Sequence, residues 1–230
     1  MTTLNFDGGY GLGYSKNIRL LIPAYDALLG IASAAAAALA PEADTALVVG
    51  PGPGEELPGL FHALPKASFT LLEPSAQMAR RCREFIARSG RENHCQLLEQ
   101  PLNGDTPLDG SPFEVVICHN VLHLMRPDQQ RQALRQLALH LAPGGLLLLS
   151  SYSHAADSDD LQLLKQINSS RLLRRGVPSG TVAWLMDRDN SAVFSLSTEL
   201  LAEELQADGL EPPQILIQAL RYRLWVSRRN

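Results

Sequence analysis

Apolar and polar positions alternate between two periods along this chain. Apolar residues recur at helical spacing from Asn17 to Ala40, with Pro23 placed as a start or kink and Pro41 as the stop. TALVVG (Thr45 to Gly50) is a short buried-strand pattern that ends in a Gly/Pro turn. A helix is predicted over about 54–63, then the strand SFTLLE (Ser68 to Glu73), a helix over Pro74 to Arg88 and a strand over Gln96 to Glu99. Phe113 to Cys118 is β-branched and apolar, Asp128 to Leu141 is amphipathic, and Pro143-Gly144-Gly145 is the stop signal for that helix. LLLLSSY (Leu146 to Tyr152) is the most apolar strand. Strands alternating with helices predict a parallel sheet covered on both faces.

The rhythm breaks at both ends. Residues 1–16, rich in Gly and Tyr, read as irregular, and residues 1–40 as an N-terminal arm followed by a helix. Residues 153–196 are polar, with helical stretches near Leu161–Arg175, and read as a lid-like insertion. Ser197 and Gly209 have the character of an N-cap and a C-cap around one more helix. Gln214–Ala219 and Arg221–Ser227 read as an antiparallel hairpin with one buried face. The whole chain, 1–230, is expected to be one α/β domain of seven mostly parallel strands.

Composition narrows the class. Hydrophobic residues make up 45% of 230 and charged residues 19%, enough for a large core. A net charge of −4 argues against a general nucleic-acid coat. Cys82, Cys95 and Cys118 are odd in number and lack metal-ligand spacing, which argues against a disulfide framework or a cysteine zinc site and fits a reducing cytoplasm. The apolar run Ile31 to Ala40 is too short to span a bilayer, and the first residues lack the pattern of a secretion signal.

Candidate chemistry starts at Gly50-Pro51-Gly52-Pro53-Gly54, between a strand and a helix. Glycines there permit a sharp turn and close approach of a ligand to backbone amides. The bland reading is a tight turn with no ligand. Glu73 ends the next strand, where a carboxylate can accept the two hydroxyls of a ribose; alternatively it caps the following helix. Together they specify an adenosine-containing cofactor. The spacing G-x-G-x-G leaves less room for a pyrophosphate than G-x-G-x-x-G.

ALVVGPGPG, LLEPSAQM, FEVVICHNVLHLMRP and LAPGGLLLLSSY, in this order, resemble the motifs of the class I S-adenosylmethionine (SAM)-dependent methyltransferases. IRLLIPAYD (Ile18 to Asp26) is similar to the N-terminal helix of the carboxy-SAM synthases and their relatives. The resemblance implies a Rossmann-like sheet and SAM as cofactor. It implies Tyr25 at the methionine end, Gly50, Gly52 and Gly54 beneath the cofactor, and Glu73 and Pro74 at the ribose. It also implies Met78 over the adenine, a loop from Gln100 to Leu102 on the adenine side, and His119 near the sulfonium. The sequence departs from the family at three places. Val48 stands where members carry an acid two residues before the first glycine, Pro101 replaces an adenine-side Asp, and His119 replaces an Asn. The arginine expected to pair with a carboxy-SAM carboxylate falls near Met186, with Arg188 close.

Alkyl transfer from a sulfonium needs alignment more than covalent help. Aromatic faces stabilise the cation by about 0.5–2 kcal/mol each; Tyr10, Tyr14, Tyr25, Tyr152 and Trp184 are candidates, with ordinary packing as the alternative. Tyr14 is the expected catalytic aromatic in the arm. His119 is the candidate general base, or else a strand-end histidine bonded to backbone. His123 reads as structural, Glu55 and Glu56 as complements to a helix dipole or else as partners of a substrate or cofactor amine, and Arg171, Arg174 and Arg175 as a solvated face or else as a site for a carboxylate or RNA phosphate. The leading expectation is methyl transfer to a small molecule. A second is cyclisation of the aminobutyryl arm to azetidine-2-carboxylate with methylthioadenosine release, with SAM as sole substrate. A SAM-binding module without catalysis and a tRNA-modifying enzyme, suggested by the four arginines in Arg221 to Arg229, are the others.

Overall fold

A computed structural model describes residues 5–102, 108, 110–154, 161–187 and 193–230, the side chain of Tyr10 excepted. The chain runs α1 (Gly9–Leu12), α2 (Tyr14–Leu21), α3 (Tyr25–Leu39), β1 (Thr45–Val49), α4 (Leu57–Ala63), β2 (Ser68–Leu72) and α5 (Ala76–Arg88). It continues through β3 (Cys95–Leu98), β4 (Phe113–His119), α6 (Pro127–Leu139), β5 (Leu141–His154), α7 (Leu161–Arg174) and α8 (Ser179–Asp187). The last elements are β6 (Leu196–Ser197), α9 (Thr198–Ala207), β7 (Gln214–Ala219) and β8 (Tyr222–Arg228).

The sheet order is β3-β2-β1-β4-β5-β8-β7, with β6 alongside β5. β1 to β5 are parallel, and β8 lies antiparallel between β5 and β7. The expected mostly parallel sheet with a C-terminal hairpin is therefore present; the two-residue β6 is an eighth strand. Period-2 alternation assigns the two faces. Leu47, Val49, Val116 and Leu147 pack with Leu134 and Leu137 of α6 and Leu201 of α9. Ala46, Val48, Val115 and Leu148 pack with Ala36 of α3, Leu60 of α4 and Ile86 of α5. Chain order reverses between β1 and β4, and such a switch point opens a crevice at the carboxyl ends of the strands.

Three expectations need correction. The arm is not irregular over its described part, because α1 and α2 form there. Neither has a side-chain cap; tertiary bonds hold them instead, with Arg81 donating to the Gly11 carbonyl at 2.7 Å and to Ser15 Oγ at 3.1 Å. The start or kink expected at Pro23 is present: α2 ends before it, α3 begins after it, and the two meet at 93°. Among the described residues no single helix is long and apolar enough to cross a membrane. The 54–63 helix begins only at Leu57. Finally, β8 is buried on both faces, Arg223 and Trp225 included, because it sits inside the sheet.

The charged side chains near the C-terminus are spent internally. Arg221 donates to Tyr152 and Ser195, and Arg223 to Ser153 and Gln218. Arg228 bonds the carbonyls of Gly144 and Leu39, and Arg229 those of Ala138 and Leu141. Arg171 and Arg175 donate to the carbonyls of Leu21 and Arg19, fastening α7 and the turn after it to α2. Leu172, Val182 and Leu185 bury against one another beside Leu20 and Leu21.

Candidate active site

A cavity opens at the switch point. Its floor is the turn after β1. Gly50 has φ +68°, and a Cβ there would meet Val121 Cγ2 at 2.4 Å. Gly52 has φ +55°, and a Cβ there would meet only Tyr14 Cε1, at 3.9 Å. Gly50 is thus glycine for backbone fit, whereas Gly52 leaves open space toward the cavity. Gly54 turns away from it, toward Leu57 and Phe85.

Glu73 is 6% exposed and tied at both oxygens: Oε2 accepts the Gly52 N–H at 2.9 Å, and Oε1 accepts the Ser75 N–H at 2.9 Å. Burial pushes its carboxyl up from the usual carboxylate range, and the two amides oppose that rise. Each oxygen keeps a lone pair for a further donor. Ser75 caps α5 by accepting the Met78 N–H at 3.2 Å and donates to Asp7 Oδ1 at 2.7 Å. Asp7 also accepts the Gln77 N–H at 3.0 Å, and these two bonds hold its carboxyl below the usual range. The arm is thereby latched to the helix that follows Glu73.

His119 ends β4 and is buried, with Nδ1 3.2 Å from Ser150 Oγ and Nε2 without a partner. Burial pulls it down to about 4, so the ring is neutral at neutral pH. His123 Nδ1 accepts the Tyr152 N–H at 3.2 Å. Its ring stands edge-on to Tyr222 at 5.9 Å between centroids.

Of the residues singled out from the sequence, Tyr14, Gly50, Gly52, Glu73, Pro74, Met78 and His119 line this cavity together. Tyr25, Gly54, Gln100 and Leu102 do not. Tyr25 lies one layer behind, hydrogen-bonded to Tyr14 and raised by burial. Leu102 packs against the core cluster on the α6 side. Trp184 is 46% exposed on α8, away from the cavity, and Arg188 lies outside the described residues. Sequence reasoning missed Phe6, Asn120 and Tyr222 as lining residues and read His123, which also lines the cavity, as structural. Asn120 had one available signal, a polar residue directly after a strand, and it adopts a left-handed φ of 59°.

Residues 47–147 match a family described as a methyltransferase domain. An O-methyltransferase family protein from Burkholderia thailandensis superposes with a TM-score of 0.68 at 16% identity, over 89% of this chain and 56% of that one. The chain has a class I methyltransferase fold. The resemblance read from its motifs is therefore borne out. The same fold in the 1,6-didemethyltoxoflavin-N1-methyltransferase of Burkholderia thailandensis, solved with bound S-adenosylhomocysteine, covers 98% of this chain and 87% of that one. Its TM-score is 0.61 and its identity 15%. Among curated proteins, the carboxy-SAM synthase of Pseudomonas fluorescens (strain Pf0-1) is 27% identical over 154 residues, 66% of this chain. That of Pseudomonas putida (strain W619) is 31% identical over 98 residues, 42% of this chain and 40% of the relative. The longer match spans 62% of its relative's length.

Proposed function

We propose that this cavity binds SAM and directs its methyl group to an uncharged small molecule. The observation that carries this reading is the Glu73 carboxylate fixed to the Gly52 amide at the floor of an apolar cavity. The two free lone-pair directions of Glu73 accept the ribose hydroxyls, and Pro74 and Met78 wall the adenine. The carbon attached to the sulfonium is already electrophilic when SAM is bound. The chain's own task is then to orient, to exclude water and to receive a proton. Tyr14, Phe6 and Tyr222 line the cavity with aromatic faces that suit a sulfonium. Neutral His119 accepts the proton of an O–H or N–H nucleophile at Nε2. The arm and the α7–α8 segment act as covers over the acceptor.

A carboxylate-bearing donor calls for a cation, and none of the described lining residues is Lys or Arg; this favours methyl transfer over the carboxy-SAM chemistry named for the curated relatives. The second reading, cyclisation of the aminobutyryl arm, draws on Val48, which is fully buried in apolar surroundings where an acid would steady that arm.

Product analysis decides between them. Pure protein is incubated with SAM, with and without a panel of small hydroxyl and amine acceptors. S-adenosylhomocysteine that forms only with an acceptor supports methyl transfer. Methylthioadenosine from SAM alone supports cyclisation. Thermal stabilisation by SAM with neither product supports a binding module.

A further inference from the structure

Two buried polar atoms in the cavity wall have no partner. Of the described lining residues, His119 and Asn120 are the ones with a buried, unbonded side-chain atom: Nε2 of the imidazole and Oδ1 of the amide. His119 is 6% exposed and Asn120 8%. Successive residues of a strand face opposite sides. The left-handed backbone at Asn120, φ 59°, ends that alternation as β4 ends, and both residues line the same cavity. Asn is among the few residues that take this conformation at low cost. Ser150 of β5 pins the pair. Its carbonyl accepts the Asn120 N–H at 2.8 Å, and its hydroxyl lies 3.2 Å from His119 Nδ1. With Nδ1–H donated to that hydroxyl, Nε2 and Oδ1 are both hydrogen-bond acceptors.

Two orphan acceptors cost stability, a cost offset by a ligand that brings two hydrogens. An uncharged amino group carries two hydrogens and a lone pair. With both hydrogens held, the lone pair is the direction left for the methyl carbon. A hydroxyl carries one hydrogen and leaves the second acceptor unsatisfied. An alkylamine is an ammonium ion at neutral pH and has no lone pair to offer. It would also need an acid, and Glu73, the one acid among the described lining residues, already accepts two amides and faces the ribose in the reading above. An amino group on an aromatic ring is uncharged at neutral pH. Phe6, Tyr14 and Tyr222 offer that ring aromatic faces.

We propose that His119 Nε2 and Asn120 Oδ1 together hold the two amino hydrogens of an aromatic primary amine, the methyl acceptor. This names the substrate class of the cavity and rests on its reading as a SAM-dependent methyltransferase site. The nitrogen lone pair forms the N–C bond as the carbon–sulfur bond breaks, and the sulfur keeps that electron pair. One N–H proton then passes to His119 Nε2, while the other N–H remains bonded to Asn120 Oδ1. Burial holds His119 down to about 4, so the ring starts neutral. A base that weak can relieve an arylammonium, a far stronger acid than an alkylammonium. The product, an N-methyl arylamine, has one N–H left and cannot satisfy both acceptors, so transfer stops at one methyl group.

The test is calorimetry on protein saturated with S-adenosylhomocysteine, in the parent and in Asn120→Gly. The probes are benzene, naphthalene and quinoline rings, each carrying an amino, an N-methylamino or a hydroxyl group. Glycine takes a left-handed backbone without strain, so the variant keeps the turn. The expected result is an arylamine that the parent binds about tenfold or more tightly than its N-methyl and hydroxyl counterparts. Asn120→Gly lowers the affinity for that amine by about tenfold or more and leaves the hydroxyl compound within about threefold. With SAM in place of S-adenosylhomocysteine, mass spectrometry of the bound amine shows the gain of one methyl group. No binding of any arylamine, equal affinity for amine and hydroxyl compound, an equal loss for both in Asn120→Gly, or a dimethylated product overturns the pair and leaves the SAM site standing. No binding of S-adenosylhomocysteine by the parent overturns both.

Discussion

The Glu73 carboxylate accepts the Gly52 amide at 2.9 Å. The acid that follows β2 and the turn that follows β1 are thus one hydrogen-bonded unit.

The two cavity glycines are expected to fail differently. Gly50→Ala drives a methyl group into Val121 Cγ2 at 2.4 Å and forces a left-handed alanine, which costs about 2 kcal/mol or more and lowers the melting temperature by several degrees. Gly52→Ala meets no such obstacle and costs about 1 kcal/mol of backbone strain, yet it fills the floor of the cavity. Thermal melts should rank Gly50→Ala as the less stable protein. Titration of Gly52→Ala should show S-adenosylhomocysteine binding weakened more than tenfold in a folded protein.

Stability against pH should carry the signatures of two buried groups. His119 is lowered to about 4 from 6.5. The unfolded chain takes its proton first, so stability is lost as pH falls from about 6.5 toward 4. Glu56 is raised to about 8 from 4.5. The folded chain holds its proton longer, so stability is lost as pH rises from about 4.5 through 8. The two slopes oppose each other between about 4.5 and 6.5. Above that the His119 slope ends and the Glu56 slope continues, at up to about 1.4 kcal/mol per pH unit. Urea unfolding at pH 6.5 and 8 should show a fall in the parent that is smaller in Glu56→Gln.

Asp7 holds the arm to α5 through Ser75 Oγ and the Gln77 amide. Asp7→Ala removes both bonds. Limited proteolysis should then cut the arm faster. S-adenosylhomocysteine should dissociate faster with little change in the melting temperature, since α1 and α2 remain fastened by Arg81. An unchanged cutting rate would show that the latch does not hold the arm.

What the sequence made legible was local. The strands β1, β2, β4 and β5 announce themselves as short apolar runs, and Gly50, Gly52 and Glu73 sit at spacings that only a strand–turn–helix–strand unit explains. What it concealed depends on contacts between distant segments. Helix α1 is half glycine, neither it nor α2 has a side-chain cap, and both are held by Arg81, some 70 residues away, which binds their carbonyl and hydroxyl oxygens. Glu56 looks like any acid at a helix start until the turn folds over it. Tyr222 reads as one position on a strand face and becomes a cavity wall only when β8 inserts beside β5. Gln100 and Leu102 match by position in a motif but pack outside the cavity.

The most direct test of the central claim is calorimetric titration of S-adenosylhomocysteine into the parent protein and into Glu73→Ala. The account expects one site per chain in the parent. It expects a loss in Glu73→Ala of about 2–4 kcal/mol, for two hydrogen bonds to a charged group, with the variant still folded. No heat of binding in the parent, or equal affinity in the two proteins, would contradict it.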